Sequence, residues 1–241
     1  MVVLLFVAWL MSENRRKVSI RLVTAGLVLQ LVVALLLLKV SLFQGVFIYL
    51  NGVVTALEDS TLAGASVLFG YLSGGEPPYE VTNPAATWIF AFQGLPLVLF
   101  MSALSALLFY WKVLPVVVRG FSWVLRRTMR IGGAEGLGVA ANIFVGMVES
   151  PLLIRPYLKE MSRSELFSVM TCGLATIAGT MLVIYATILD GVIPNAMGHI
   201  LTASIISAPA AVTIAKLMVP ETEPTTAGQL VPPAEYRSSM D

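Results

Sequence analysis

GGAEGLGVAANIFVGMVESPLLIRPY, residues 132–157, decides how the rest of the chain is read. The stretch is apolar enough to enter a membrane, yet Asn142 and Glu149 cross it, Ser150-Pro151 interrupts it, and Arg155 follows soon after the glutamate. A proline inside a helix removes one amide donor and clashes with the preceding turn. The pattern therefore predicts two short helical arms meeting near Gly146 to Pro151, a re-entrant hairpin rather than one long helix. Irregular backbone at membrane depth persists only where protein or a water-filled cavity satisfies its polar groups. In transporters such broken helices build the substrate and ion sites, so a solute site is expected here.

The composition around this stretch agrees with a membrane setting. With 57% hydrophobic and 12% charged residues in 241, the chain is far more apolar than a soluble domain of about 25% charge. It reads as an all-α polytopic membrane protein. A single cysteine, Cys172, and a single histidine, His199, leave no internal disulfide framework and no multi-Cys/His zinc site. A net charge of +1 gives no support to nucleic-acid binding.

Charge placement predicts the topology. Val2 to Met11 is a short apolar run where a span needs about 20 residues, and no basic region precedes it as in a signal peptide. It is read as the remainder of a first span, shortened by a late start. Ser12 to Arg21 carries Arg15, Arg16, Lys17 and Arg21, which keeps a short loop in the cytoplasm. Leu22 to Leu38 is a span ending at Lys39. Ser41 to Leu72 reads as an interfacial or amphipathic helix, with Val46, Leu50, Val53, Val54 and Leu57 on one face. Ser73 to Thr87, with Glu76 and Glu80 but no Lys or Arg, is expected outside. Trp88 to Trp111 is a span with a kink at Gly94-Leu95-Pro96.

Lys112, Arg119, Arg126, Arg127 and Arg130 return the chain to the cytoplasm, and Val113 to Met129 reads as an amphipathic helix on the inner surface. Lys159, Glu160, Arg163 and Glu165 mark a second cytoplasmic visit, so the intervening hairpin enters and leaves on one face. Leu166 to Leu189 is a further span rich in small residues, which let helices approach closely. Asp190 to Asn195 is an external turn, and Ala196 to Met218 the last span. Pro220 to Asp241, with four prolines and four acidic residues, is expected to be a disordered tail or linker. The division is 1–111 as scaffold-like helices, 112–219 as a transport-domain-like part and 220–241 as the tail, with about five spans in all.

Ala141-Asn142-Ile143-Phe144-Val145-Gly146 and Glu149-Ser150-Pro151-Leu152, running on to Arg155-Pro156-Tyr157, resemble the first hairpin of concentrative nucleoside transporters. The likeness continues through Ser164 to Phe167, Gly173 to Gly179, Ala208-Pro209-Ala210 and Lys216 to Glu223, and upstream through Ala91 to Pro96. It implies half of an inverted-repeat transporter fold, a homotrimer, a nucleoside substrate and a coupling ion, sodium or proton, with no other cofactor. In the family the hairpin tip reads Gln-Thr/Ser-Glu; here Met147-Val148-Glu149 stand there, so two base-binding positions are apolar. The second hairpin, with its Asn-Glu-Phe-Val-Ala sequence, has no counterpart, and the chain looks like an amino-terminal half.

The resemblance assigns Glu149, Met147, Val148 and Gln93 to the substrate and Asn142, Val145, Thr176 and Ile177 to sodium, where freed backbone carbonyls join a side-chain amide and hydroxyl. Oxygen ligands suit a hard cation. Each has a plainer alternative. Glu149 can pair with Arg155, Asn142 can cap the first arm, Thr176 can bond its own helix backbone, and Gln93 can satisfy the kink beside Gly94. Glu135 among Gly132, Gly133, Gly136 and Gly138 lacks the Lys-Ser/Thr and preceding strand of a phosphate loop, so those glycines serve close packing. His199 is read as interfacial and Cys172 as a packing residue.

The leading expectation is uptake of nucleosides across the cytoplasmic membrane by alternating access around the hairpin, incomplete without a second repeat. A transporter of another polar solute and a non-transporting fragment that folds with a full-length relative stay open beside it. An enzyme is not expected, because no second acid or nucleophile is spaced for catalysis.

Overall fold

The computed structural model describes residues 2–82, 89–147, 149–189, 192–193 and 196–226, and the regular elements among them are helical. They are α1 (Val2–Leu10), α2 (Ile20–Lys39), α3 (Ser41–Phe69), α4 (Leu95–Tyr110), α5 (Val113–Met129), α6 (Gly133–Asn142), α7 (Glu149–Ile154), α8 (Arg163–Ala175), α9 (Gly179–Leu189) and α10 (Ala196–Met218). By length and apolar composition, three stretches among the described residues can cross a membrane: α2, Phe90–Tyr110 and α10. Along α2 the side chains of Val28, Leu31, Leu35 and Leu38 are exposed, as a helix solvated by lipid requires.

Two expected spans take another form. The apolar start of the chain is helical over nine residues only, too few to cross alone. Leu166 to Leu189 is not one helix: α8 ends at Ala175, Thr176 is extended at φ −105°, ψ 158°, and α9 starts at Gly179. Helix propensity does not dictate this break; side chains from other elements take over the backbone groups that the helix gives up. The expected kink in the third apolar stretch is a π-helical turn, Phe90–Gly94, with Pro96 just inside α4, where a missing amide costs nothing. Trp88, the expected start of that span, lies outside the described residues.

The chain divides into two compact units, which cut across the expected boundary at residue 111. The first holds residues 1–37, 115–178 and 202–241. Its packing explains why α2 joins it. A Cβ on Gly26 would collide with Thr213 Oγ1 and come within 3.0 Å of Met129 Cε, so α2, α5 and α10 approach at a position only glycine permits. The loop after α1 is tied in by Glu13, whose amide donates to the Met218 carbonyl at 2.9 Å and whose carboxylate pairs with Arg163 at 2.6 Å. Along α5, Val118, Ser122, Leu125 and Met129 are buried while Val116 and Trp123 are exposed.

The second unit holds residues 38–114 and 179–201. Here Leu97 of α4 packs on Val183 and Ile184 of α9, flanked by Val98 and Met101. Ser73 Oγ donates to the Phe92 carbonyl at 2.8 Å, and the Phe69 and Phe92 rings stand 5.1 Å apart, so the turn after α3 is fastened to the π turn.

The expected disordered tail begins as ordered chain. Ser164 Oγ donates to the Val219 carbonyl at 2.6 Å, and the Thr226 amide and hydroxyl donate to Glu165 Oε1 at 3.0 and 2.8 Å. Glu165 is also the acidic member of a capping box with Ser162 that starts α8. Residues 219–226 thus form a strap, and residues 227–241 of the expected tail lie outside the described set.

Candidate functional site

The stretch expected to form a hairpin folds as two short helical arms, α6 and α7. Helix α6 is made of Gly, Ala, Val, Leu, Glu and Asn, and nearly all of it is buried. Glycine is a poor helix former, so packing must supply the stability of this arm. Its small side chains supply the closeness: a Cβ on Gly138 would lie 3.1–3.2 Å from Val169 of α8 and Ile154 of α7. The second arm, α7, carries Pro151 in its first turn, where proline is tolerated. Ser150 Oγ donates to the Gly138 carbonyl at 2.7 Å and fastens one arm to the other. Between them the chain turns at 143–147, with Val145 N donating to the Ala141 carbonyl at 2.8 Å and Ser150 N to that of Gly146 at 3.0 Å.

Five of the expected site residues lie at this turn or at the α8–α9 break beside it. Asn142, at the end of α6, donates from Nδ2 to the Val169 carbonyl at 3.1 Å, while its Oδ1 is buried and has no hydrogen-bond partner among the described residues. Its carbonyl lies 3.0 Å from Thr176 Oγ1, and the Cys172 carbonyl lies 2.9 Å from that hydroxyl. A hydroxyl has one proton, so only one of the two carbonyls is bonded at a time. Thr176 and Ile177 form the break between α8 and α9, and Val145 is buried in the hairpin turn. Met147 is exposed, and its Cβ would be 2.8 Å from a Cβ on Gly173. The turn therefore lies directly on α8.

The remaining expected residues are placed differently. Glu149 opens α7, with its side chain outside what the structure describes, and Val148 lies outside the described residues. Gln93 belongs to the second unit, where its Nε2 donates to the Leu72 carbonyl at 3.3 Å. That bond is a local one, between the π turn and the turn after α3.

Three polar features escaped sequence reasoning. Ser204 of α10, 1% exposed, sets its hydroxyl 3.4 Å from the carbonyls of Ile143 and Ile177 and accepts from the Ile177 amide at 3.4 Å. Lys216 Nζ stands 3.1 Å from Oε2 of the fully buried Glu135 and 2.8 Å from Oε2 of Glu221. Neither Glu135 oxygen is aligned for a hydrogen bond among the described residues, so the lysine answers it by charge. Thr226 accepts from the Ala134 amide at 3.2 Å, and its carbonyl accepts from the Gly133 amide at 3.3 Å. It thereby caps α6, whose N-cap glycine has no side chain to do so. The signal available in the sequence was a carboxylate and an ammonium inside apolar runs, which are rare at membrane depth without a partner.

As chemistry, the cluster at the turn is a set of neutral oxygens: an amide oxygen with no donor, carbonyls at two helix breaks and a hydroxyl. Hard cations take such donors. Among the described residues no group of three or more His, Cys, Asp or Glu side chains could hold a metal ion, so a soft or transition metal has no comparable site there.

Residues 1–72 match the family model described as Na+ dependent nucleoside transporter N-terminus, and residues 91–191 match one described as nucleoside recognition. The chain is 37% identical over 212 residues to sodium/nucleoside cotransporter 2 of Rattus norvegicus, covering 88% of this chain and 30% of that protein. It is 33% identical over 223 residues to the nucleoside permease NupC of Helicobacter pylori, covering 92% of this chain and 51% of that protein. The solved structure of CNTnw in an inward-facing substrate-bound state superimposes with a TM-score of 0.85 at 33% identity, over 97% of this chain and 55% of that one. The chain thus spans about half the length of its bacterial relatives and less than a third of the rat protein. A multi-pass membrane protein with these matches along most of its length, the chain belongs to the concentrative nucleoside transporter family.

Proposed function

We propose that this chain is the first-repeat half of a sodium-coupled nucleoside importer of the cytoplasmic membrane, working by alternating access around the α6–α7 hairpin. Sodium is cargo here, held by the Asn142 side-chain amide, the Thr176 hydroxyl and backbone carbonyls including those of Val145 and Ile177. The observation that carries this reading is the buried, unpartnered Asn142 Oδ1 beside the Thr176 break. A buried acceptor without a partner costs roughly 1–3 kcal/mol, and a cation removes that cost.

The nucleoside binds next to the ion, with Glu149 accepting hydrogen bonds from it, Gln93 assigned to it by the family resemblance, and Met147 and Val148 giving its base an apolar contact. Coupling follows because ion and nucleoside organise the same turn, so each raises the affinity of the other by the same factor. Uptake requires a second repeat, carried on the same polypeptide or a separate one, and the relatives are long enough to contain it. Assembly is as a trimer.

Calorimetry in nanodiscs tests the reading, with the second repeat supplied and sodium replaced by choline at fixed pH. Nucleoside affinity should fall at least tenfold without sodium and hold constant between pH 6.5 and about 8. Affinity that follows pH and ignores sodium would replace sodium by the proton as coupling ion; no nucleoside binding under any cation would refute the substrate.

A further inference from the structure

Two of the four hydroxyls in α10 behave as helical hydroxyls do, bonding back to a carbonyl of the preceding turn. Ser207 donates to Ala203 O and Thr213 to Pro209 O, both at 2.7 Å. Ser204 departs from that habit. Its hydroxyl is directed at two foreign stretches of backbone, the Ile143 carbonyl in the hairpin turn and the Ile177 amide and carbonyl in the α8–α9 break, each at 3.4 Å. These residues are the immediate successors of Asn142 and Thr176.

We infer that Ser204 is a positioning residue for the cation site, a single hydroxyl on α10 that sets the relative orientation of the two broken backbones whose oxygens receive the ion. The inference rests on the sodium reading above. The physical argument runs through the peptide planes. Ile177 lies in a break, where its amide and carbonyl have lost the partners that a continuous helix supplies, and buried backbone groups must find others. Ser204 accepts from the amide and faces the carbonyl, so it holds the planes on both sides of Ile177, and therefore the direction of a proposed ligand oxygen. The same oxygen faces the Ile143 carbonyl of the hairpin. One proton serves two acceptors, so the hydroxyl can turn toward either carbonyl while the other is free to adjust. Binding constellations work within about 0.5 Å of their productive geometry, and a residue touching both walls controls that tolerance without touching the ion.

The test uses the full chain in nanodiscs, reading the thermal unfolding midpoint against sodium concentration with choline holding ionic strength, since a ligand that binds only the folded state raises the midpoint by mass action. In Ser204→Ala the sodium concentration needed for half the shift should rise roughly five- to tenfold, as loss of a buried hydrogen bond predicts, and the preference for sodium over lithium should shrink. Ser204→Thr, which keeps the hydroxyl, should titrate like the wild type. Thr176→Val should lose most of the sodium response and reports on the site itself. A lower midpoint for Ser204→Ala in choline with an unchanged sodium concentration dependence would make Ser204 merely structural and overturn the inference. So would a Ser204→Thr variant as weak as Ser204→Ala. If Thr176→Val weakens the response and Ser204→Ala does not, Ser204 falls while the site stands; if the wild type itself ignores sodium, the site reading fails and Ser204 falls with it.

Discussion

Lys216→Met isolates the buried charge of Glu135. The carboxylate is fully buried, and Lys216, 5% exposed, is the cation within ion-pair distance of it at 3.1 Å. Methionine retains most of the lysine stem while removing its charge, so packing changes little and the electrostatic consequence dominates. Breaking a buried pair from one side costs about 3–5 kcal/mol because the other charge is left uncompensated. For a chain of this size that corresponds to a midpoint roughly 6–20 °C lower. Glu221 also loses its 2.8 Å partner, but it is about a quarter exposed and can be hydrated in place. The companion variant, Glu135→Gln with Lys216→Met, removes both charges and should recover most of the loss, with a coupling energy of at least about 2 kcal/mol. Scanning tryptophan fluorescence of the purified single and double variants measures this. A single variant within 2 °C of wild type, or a double variant no more stable than the single, would refute the argument that Glu135 is held by Lys216.

Three further outcomes are expected. Gly173→Ala places a Cβ 2.8 Å from that of Met147 and 3.4 Å from Asn142 Oδ1; overpacking of this kind costs about 1–3 kcal/mol, and sodium protection of the midpoint should weaken more than the midpoint in choline, with equal loss in both pointing to packing alone. Thr226→Val removes the donor to Glu165 and the acceptor for Ala134 and should cost about 1–3 kcal/mol, while limited proteolysis after residue 219 accelerates; unchanged cleavage would mean the strap is held elsewhere. With the second repeat supplied, Glu149→Gln should weaken nucleoside binding by roughly ten- to a hundredfold in a protein that still folds, and unchanged affinity by calorimetry would remove Glu149 from the site.

The division of this stretch into two short helices was legible in the sequence because its signals are local: Asn142, Glu149 and Ser150-Pro151 interrupt an apolar run within ten residues. The break after α8 was not. Nothing between Leu166 and Leu189 is a proline, and the hydropathy is continuous; the helix parts where Thr176 turns its hydroxyl to the Asn142 carbonyl and Ser204 takes up Ile177, contacts between residues 27 and 34 apart in the chain. The pairing of Glu135 with Lys216 is equally invisible to local pattern. The strap was misjudged for the opposite reason, since prolines and acidic residues do mark disorder on average, whereas Thr226 and Glu221 each have a specific buried partner. Gly94-Leu95-Pro96 announced an irregularity, but its form, a π turn fastened through Ser73 and Gln93, depends on the preceding helix.

The cap on α6 carries a consequence for the order of events on the ribosome. Ala134 and the Thr226 hydroxyl that completes its helix end are 92 residues apart. At about 5–20 residues per second of synthesis, roughly 5–20 s pass between the emergence of the two. For that interval a short, glycine-rich arm exists without its cap, and for most of it also without Ser204 and without the lysine that answers Glu135. The first hairpin is therefore made early and finished late, and whatever shelters its uncapped amides in the meantime, lipid headgroups or the insertion machinery, governs how much of the chain reaches its native state.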